Sequence, residues 1–81
     1  MNAKEAINIA RRHVLTGESE MKSSAEACLA DAIACYDKGR LIDAAKRSAD
    51  AVAYMTSFFS ADRKKIMAYV NKYDQSTCLS D

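Results

Sequence analysis

The side chains in this sequence that are best suited to nucleophilic or metal chemistry are one histidine and three cysteines. His13 stands alone in "ARRHVL", so there is no second imidazole to complete a metal site or a proton relay. Cys28, Cys35 and Cys78 lack the spacing of zinc ligands, and an odd cysteine count argues against a secreted disulfide framework. We therefore expect no metal, no cofactor and no catalytic residue, and we predict that the chain is not an enzyme.

The expected roles of these residues are structural. His13 falls at the edge of an apolar helical stripe, where we expect the ring to pack on its flat face. Cys28 and Cys35 fall inside predicted helices, where a free cysteine usually behaves as a small buried hydrophobe.

Five basic residues could bind phosphate or an acidic partner if the fold brings them together. They form two clusters, Arg11 with Arg12 and Arg63 with Lys64 and Lys65. However, 12 basic and 11 acidic side chains give a net charge of +1, which is not typical of a dedicated nucleic-acid binder. Nucleic-acid binding through these residues is therefore our second hypothesis, and solvated faces interleaved with Asp and Glu are the simpler interpretation.

The composition favours helix throughout. Proline is absent, glycine occurs only at Gly17 and Gly39, and alanine is frequent, as in good helix formers. No β-branched run alternates with polar residues. The sequence predicts an all-α antiparallel bundle of four helices at about residues 3–15, 20–38, 41–58 and 61–73. These helices form one domain, residues 1–74, and residues 75–81 are expected to be a flexible tail with Cys78 exposed.

Local signals place several of the helix ends. Asn2 and Glu5 have the spacing of a capping box, and Ser60 is a good N-cap for the fourth helix. Gly17 is expected to end the first helix in the left-handed conformation, and Gly39 to end the second.

The start of the second helix has two possible positions. Ser19 followed by Glu20 places an anion at the positive end of the helix dipole. Ser23 with Glu26 makes a capping box instead. We favour the earlier start because Met21 then extends the apolar stripe of the helix.

The third helix carries an unusually wide apolar arc, which indicates that more than one neighbour covers it. We expect its solvent side to be formed by Asp43, Lys46, Arg47, Asp50 and Tyr54.

The stretch "CYDKGRLIDAAKRSADAV" predicts a tight helical hairpin. Tyr36, Gly39, Ala44 and Ala51, with Ala32 before them, resemble the junction of a tetratricopeptide repeat. In that family a bulky residue, a glycine and spaced alanines hold two antiparallel helices together. The resemblance covers a single unit, at about residues 21–54, and it implies fold geometry only.

The hairpin departs from the repeat pattern in three ways. Cys28 replaces a large residue, Ser48 replaces an aromatic one, and no proline closes the unit. Stacked repeats also need about three copies for stability. Microtubule-interacting-and-transport domains and other small helical modules share the same pattern.

More apolar residues are present than one small core can hide. Ile9 and Leu15 lie off the main stripe of the first helix, and Phe58 and Phe59 cluster beside Tyr54. Exposed apolar patches commonly mark interfaces, and twofold dimers are the commonest assembly. We therefore predict a protein–protein interaction module that associates with itself, or with another protein, through these five residues.

Nothing in the sequence indicates a membrane protein or a secretory signal. The first residues lack a continuous apolar core, and no run approaches the roughly 18 apolar residues that a spanning helix needs. The expected location is the cytoplasm.

Overall fold

Four helices build the protein in the computed structural model, which describes residues 1–73. They are α1 (Ala3–Thr16), α2 (Lys22–Asp37), α3 (Leu41–Met55) and α4 (Ala61–Tyr73). The described residues contain no strand. The predicted all-α bundle of four helices is therefore confirmed. The predictions of a flexible tail at 75–81 and of an exposed Cys78 lie outside the described residues.

The third helix is the centre of the bundle, because α3 packs against α1, α2 and α4. This arrangement confirms the prediction that more than one neighbour covers its wide apolar arc. Most of the arc consists of small side chains, which let neighbouring helices approach closely. The buried residues of α3 are Ala44, Ala45, Ser48, Ala49, Ala51, Val52, Ala53 and Met55.

The helices run alternately up and down. At one end of the bundle, Gly17 after α1 lies next to Met55 of α3, and His13 of α1 reaches Asp62 of α4. The carboxyl ends of α1 and α3 and the amino end of α4 therefore meet there. At the opposite end, residues from the first half of α1, the second half of α2 and the start of α3 form a second core cluster: Ala3, Ile7, Ala32 and Ala44.

Three predicted helix boundaries are confirmed in atomic detail. The Asn2 side chain accepts a hydrogen bond from the backbone N–H of Glu5 at 2.9 Å. The Ser60 hydroxyl accepts one from the backbone N–H of Arg63 at 3.1 Å and caps α4. Gly39 has a φ of 78°, the left-handed conformation that glycine adopts without strain.

The prediction for Gly17 is right about the residue's place and wrong about its conformation. Gly17 follows the last residue of α1, but its φ of −93° is open to any residue. A Cβ atom there would lie 2.7 Å from the backbone oxygen of His13 and 2.9 Å from the terminal methyl of Met55. Glycine is needed at this position for space.

Two helix boundaries differ from the prediction. α2 begins at Lys22, two residues after the favoured start near residue 20, and its N-cap, Met21, makes no side-chain capping bond. The Ser19 hydroxyl instead accepts from the backbone N–H of Met21 at 3.0 Å, which forms a turn before the helix. Ser23 lies inside the first turn of α2.

α3 ends at Met55 and does not reach residue 58. The Thr56 hydroxyl donates to the carbonyl of Val52 at 2.7 Å, and the Ser57 hydroxyl accepts from the backbone N–H of Phe59 at 3.1 Å. Side chains of this type compete with the helical hydrogen-bond ladder. Phe58 and Phe59 consequently lie in a loop and not on the apolar face of α3. The other boundaries agree with the prediction to within one residue.

Candidate interaction surface

The end of the bundle where α1 and α3 finish presents large apolar side chains to solvent. Phe59 is 82% exposed and Phe58 is 58% exposed. Leu15, in the last turn of α1, is 72% exposed, and Tyr54, in the last turn of α3, is 37% exposed. We call these four residues the aromatic end. The sequence had singled out all four as candidate contacts, and the fold brings them to the same end of the molecule.

The loop that carries the two phenylalanines is held by side chains. Arg63 donates from Nη1 to the carbonyl of Phe58 at 3.2 Å, and its guanidinium lies 5.1 Å from the centroid of the Phe58 ring. The Ser19 hydroxyl donates to the carbonyl of Tyr54 at 2.7 Å and ties the α1–α2 loop to this end. The aromatic rings are thus presented by an ordered backbone, which lowers the entropy cost of binding.

The fifth predicted contact residue, Ile9, is placed differently. It is half-buried and packs against the main core cluster. Part of its side chain therefore already serves the fold, and it has less surface to offer than Leu15 or Phe59.

A histidine–carboxylate pair joins α1 to α4. His13 Nε2 lies 2.7 Å from Asp62 Oδ2, and a guanidinium nitrogen of Arg12 lies 3.9 Å from the same oxygen. We had expected the His13 ring to pack on its flat face, and the sequence offered no sign of this polar partner 49 residues away. Within residues 1–73, no group of His, Cys, Asp and Glu side chains has a metal-binding arrangement.

The five basic residues have different neighbours in the structure. Arg11 lines a groove between α1 and α2 and contacts the side chain of Asn8. Arg12 turns towards Asp62, and Arg63 lies over Phe58. Lys64 and Lys65 are exposed. Because Asp62 stands between Arg12 and the basic residues of α4, a carboxylate interrupts the positive surface.

A second concave region, which the sequence did not predict, lies between α2, α3 and α4. Its volume is about 450 Å³. We call it the charged groove, since its charged lining residues are Asp31, Arg40, Asp43, Lys46, Arg47, Asp50 and Arg63. The sequence placed four of these residues on the outer side of α3: Asp43, Lys46, Arg47 and Asp50. It did not predict which helices flank them.

Ion pairs lie along the charged groove, and one of them joins α2 to α3. Arg40 contacts Asp43 at 2.7 Å, while Arg47 contacts Asp31 on α2 at 2.9 Å and Asp50 at 3.3 Å. These side chains are about half-exposed, so each pair contributes little to stability. Their main effect is to hold the guanidinium groups of Arg40 and Arg47 in place.

The two cysteines of the described chain are half-buried rather than fully buried. Burial raises the pKa of the Cys28 thiol, and the carboxylate of Asp50 raises it further, while Arg47 acts in the opposite direction. A raised thiol pKa reduces the thiolate population at neutral pH, so Cys28 is a poor nucleophile.

Comparison with protein-family models, with curated proteins and with solved structures finds no match to this chain. Among residues 1–73, no helix is long and apolar enough to cross a membrane.

Proposed function

We propose that this chain is a non-catalytic protein–protein interaction module that associates with a second copy of itself through the aromatic end. The observation that carries the proposal is the exposure of two consecutive phenylalanines, Phe58 and Phe59, on a loop held by hydrogen bonds. Aromatic side chains dominate the energetics of interfaces, and large exposed apolar patches are uncommon on monomers.

The charges around the aromatic end favour a second copy as the partner. Glu18 and Glu20 are exposed on the α1–α2 loop, and Lys64 and Lys65 are exposed on the first turns of α4. The same end of the molecule therefore carries both signs. A twofold axis through the phenylalanines pairs the carboxylates of one copy with the lysines of the other, as an isologous interface requires.

Co-capture of two differently tagged copies tests this proposal. We expect the wild-type chain to retain its partner copy, and the double variant Phe58→Ser/Phe59→Ser to lose it. Leu41→Ser is the matched control, because Leu41 is also an exposed large apolar residue but lies at the opposite end of α3. Equal retention by the wild type and the double variant would remove the aromatic end from the proposal.

The charge arrangement allows a sharper version of the same experiment. A chain that carries Glu18→Lys/Glu20→Lys, and a chain that carries Lys64→Glu/Lys65→Glu, should each associate more weakly with an identical copy of itself. Mixing the two reversed variants should restore it, because opposite charges then face each other again. Failure of the mixture to associate would exclude the twofold pairing of Glu18 and Glu20 with Lys64 and Lys65.

The α2–α3 hairpin supports the same class of function. Its resemblance to a tetratricopeptide junction stays a proposal about geometry, based on the left-handed Gly39 and the buried Ala32, Ala44 and Ala51. Nucleic-acid binding through Arg11, Arg12, Arg63, Lys64 and Lys65 is the weaker proposal, because Arg12 already pairs with Asp62 and Arg63 lies over Phe58. It predicts salt-sensitive retention of nucleic acid that is lost when Arg63, Lys64 and Lys65 become alanine.

A further inference from the structure

The charged groove has the size and the polar lining of a binding site for a small charged group. Its volume of about 450 Å³ lies in the range of ligand sites. Residues from α2, α3, α4 and the α2–α3 turn line it. We propose that this groove binds a carboxylate group through Arg63. The proposal does not depend on self-association, although Arg63 also contacts Phe58 of the aromatic end.

Arg63 differs from the other two arginines of the groove. Arg40 and Arg47 each pair with an aspartate. Within residues 1–73, Arg63 has no such partner: its Nη1 donates to the carbonyl of Phe58, and its buried Nε–H has no acceptor. A buried donor without an acceptor is costly, and each such group requires an explanation.

The geometry of the guanidinium indicates the kind of ligand. With Nη1 bonded to Phe58, the edge formed by Nε and Nη2 is left for another acceptor. Two parallel N–H donors on one edge match the two oxygens of a carboxylate. Met67 lines the groove together with Arg63, and its unbranched, flexible side chain can adjust to a ligand that enters beside Arg63.

The charge of the groove favours a carboxylate over a phosphate. Four basic side chains (Arg40, Lys46, Arg47 and Arg63) and three acidic ones (Asp31, Asp43 and Asp50) line it. The described lining therefore has a net charge of +1, which matches one carboxylate. A phosphate dianion concentrates two negative charges on one group close to three aspartates, which repel it more strongly than they repel a single carboxylate.

A titration followed by nuclear magnetic resonance tests the proposal on the full chain, labelled with ¹⁵N. The signal to follow is the Nε–Hε resonance of Arg63, and the probes are sodium glutamate, a hexaglutamate peptide and inorganic phosphate at constant ionic strength. We expect a saturable shift with the glutamate probes and weaker binding of phosphate.

The two glutamate probes distinguish the molecules that could supply the carboxylate. Tighter binding of hexaglutamate than of glutamate identifies an acidic polypeptide segment, and equal affinity identifies a small carboxylate. No saturable shift with either glutamate probe, or tighter binding of phosphate, would overturn the proposal.

Substitutions distinguish the effect of the paired N–H donors of Arg63 from the effect of its charge. Arg63→Lys keeps the charge but removes the paired donors, and we expect it to weaken hexaglutamate binding by about tenfold, read from the backbone amides of Asp31 and Arg47. Lys72→Gln is the matched control, because it removes an exposed charge from the same helix at a residue that does not line the groove, and we expect less than about a twofold loss from this screened site. Equal losses in the two variants would contradict a specific site.

A third variant should strengthen binding, which a misfolded protein would not do. Asp50→Asn removes one carboxylate from the groove and one ion-pair partner from Arg47. The net positive charge of the groove then rises, so hexaglutamate should bind more tightly than to the wild type. Unchanged or weaker binding by a folded Asp50→Asn protein, as judged by its circular dichroism, would contradict the proposal.

Discussion

The two turns on either side of α3 reverse the chain by different means. The α2–α3 turn is closed by the backbone, since Gly39 has a φ of 78° and the N–H of Arg40 donates to the carbonyl of Cys35 at 2.9 Å. The α3–α4 loop is closed by side chains, those of Thr56, Ser57, Ser60 and Arg63. The first turn brings buried alanines together, and the second holds two phenylalanines in solvent.

This difference separates the part of α3 that builds the fold from the part that we propose to bind a partner. Near the glycine turn, Ala32 of α2 and Ala44 of α3 are fully buried in the same core cluster. We call this contact the seam, and substitutions there should change stability. Near the α3–α4 loop, the large side chains are exposed, and substitutions there should change association and leave stability nearly unaltered.

The largest expected effect is at Ile66, which anchors α4 and so fixes the second half of the α3–α4 loop. Ile66 is fully buried in the main core cluster. We expect Ile66→Ala to lower the free energy of unfolding by about 2–5 kcal/mol, as measured by urea denaturation. Lys65→Ala, at the exposed neighbouring position, is the control. A loss below about 0.5 kcal/mol, the range of ordinary surface substitutions, would mean that α4 is not part of the cooperative core.

The next effect is at the glycine-turn seam. Ala44 is fully buried near Ala3, Ile7 and Ala32, so Ala44→Leu should overpack the seam and lower the free energy of unfolding by about 1–3 kcal/mol. Ala34→Leu adds the same atoms at an exposed position of α2 and should be nearly neutral. Equal urea midpoints for the two variants would show that the seam is not tightly packed.

The two glycines should respond differently to the same substitution. Nothing lies within 4 Å of a Cβ at Gly39, so Gly39→Ala costs only the left-handed backbone, about 1–2 kcal/mol, and Gly39→Asn should cost less because asparagine adopts that conformation more readily. At Gly17 the obstacle is the His13 carbonyl, so asparagine should be no better than alanine. Thermal unfolding of the four variants tests this, and an asparagine rescue at Gly17 would contradict the steric explanation.

The smallest effect concerns the Cys28 thiol, which lies beside the ion pairs of the charged groove. Because the pKa of Cys28 is raised in the folded protein, the thiolate forms more readily in the unfolded chain. The stability that this thiol contributes is therefore lost as the pH rises through its pKa in the folded protein. In a Cys35→Ser/Cys78→Ser background, the rate of alkylation against pH should give a pKa above that of free cysteine. Asp50→Asn should lower that pKa. An ordinary thiol pKa in the folded protein would show that Cys28 is neither desolvated nor influenced by Asp50.

Local signals in the sequence determine much of the fold. The caps at Asn2 and Ser60 and the glycine at position 39 each depend on residues within one turn, so they could be predicted. The end of α3 could not, because the apolar stripe continued to Phe59 while short hydroxyl side chains turned the backbone away. The periodicity of apolar residues indicates which face a residue would occupy in a helix, but it does not indicate where the helix ends.

The other features that the sequence did not predict depend on contacts between residues far apart in the chain. The His13–Asp62 pair, the crowding of Gly17 by Met55 and the charged groove all depend on how α1, α2 and α4 pack around α3. Leu15 was found because it lies off the main apolar stripe of the first helix, and Tyr54, Phe58 and Phe59 were found because they cluster in the sequence near the end of the third. The role of Arg63, which contacts Phe58 and lines the groove, was not visible.

The central claim is that the aromatic end joins two copies of the chain, and sedimentation equilibrium over a range of concentrations tests it most directly. We predict that the wild-type mass rises with concentration from 8.9 kDa to twice that value. Phe58→Ser/Phe59→Ser should remain at the monomer mass, and its urea midpoint should equal that of the wild type at concentrations where the wild type is a monomer. A wild-type protein that stays at the monomer mass at millimolar concentration would contradict the claim, as would a double variant that still doubles its mass.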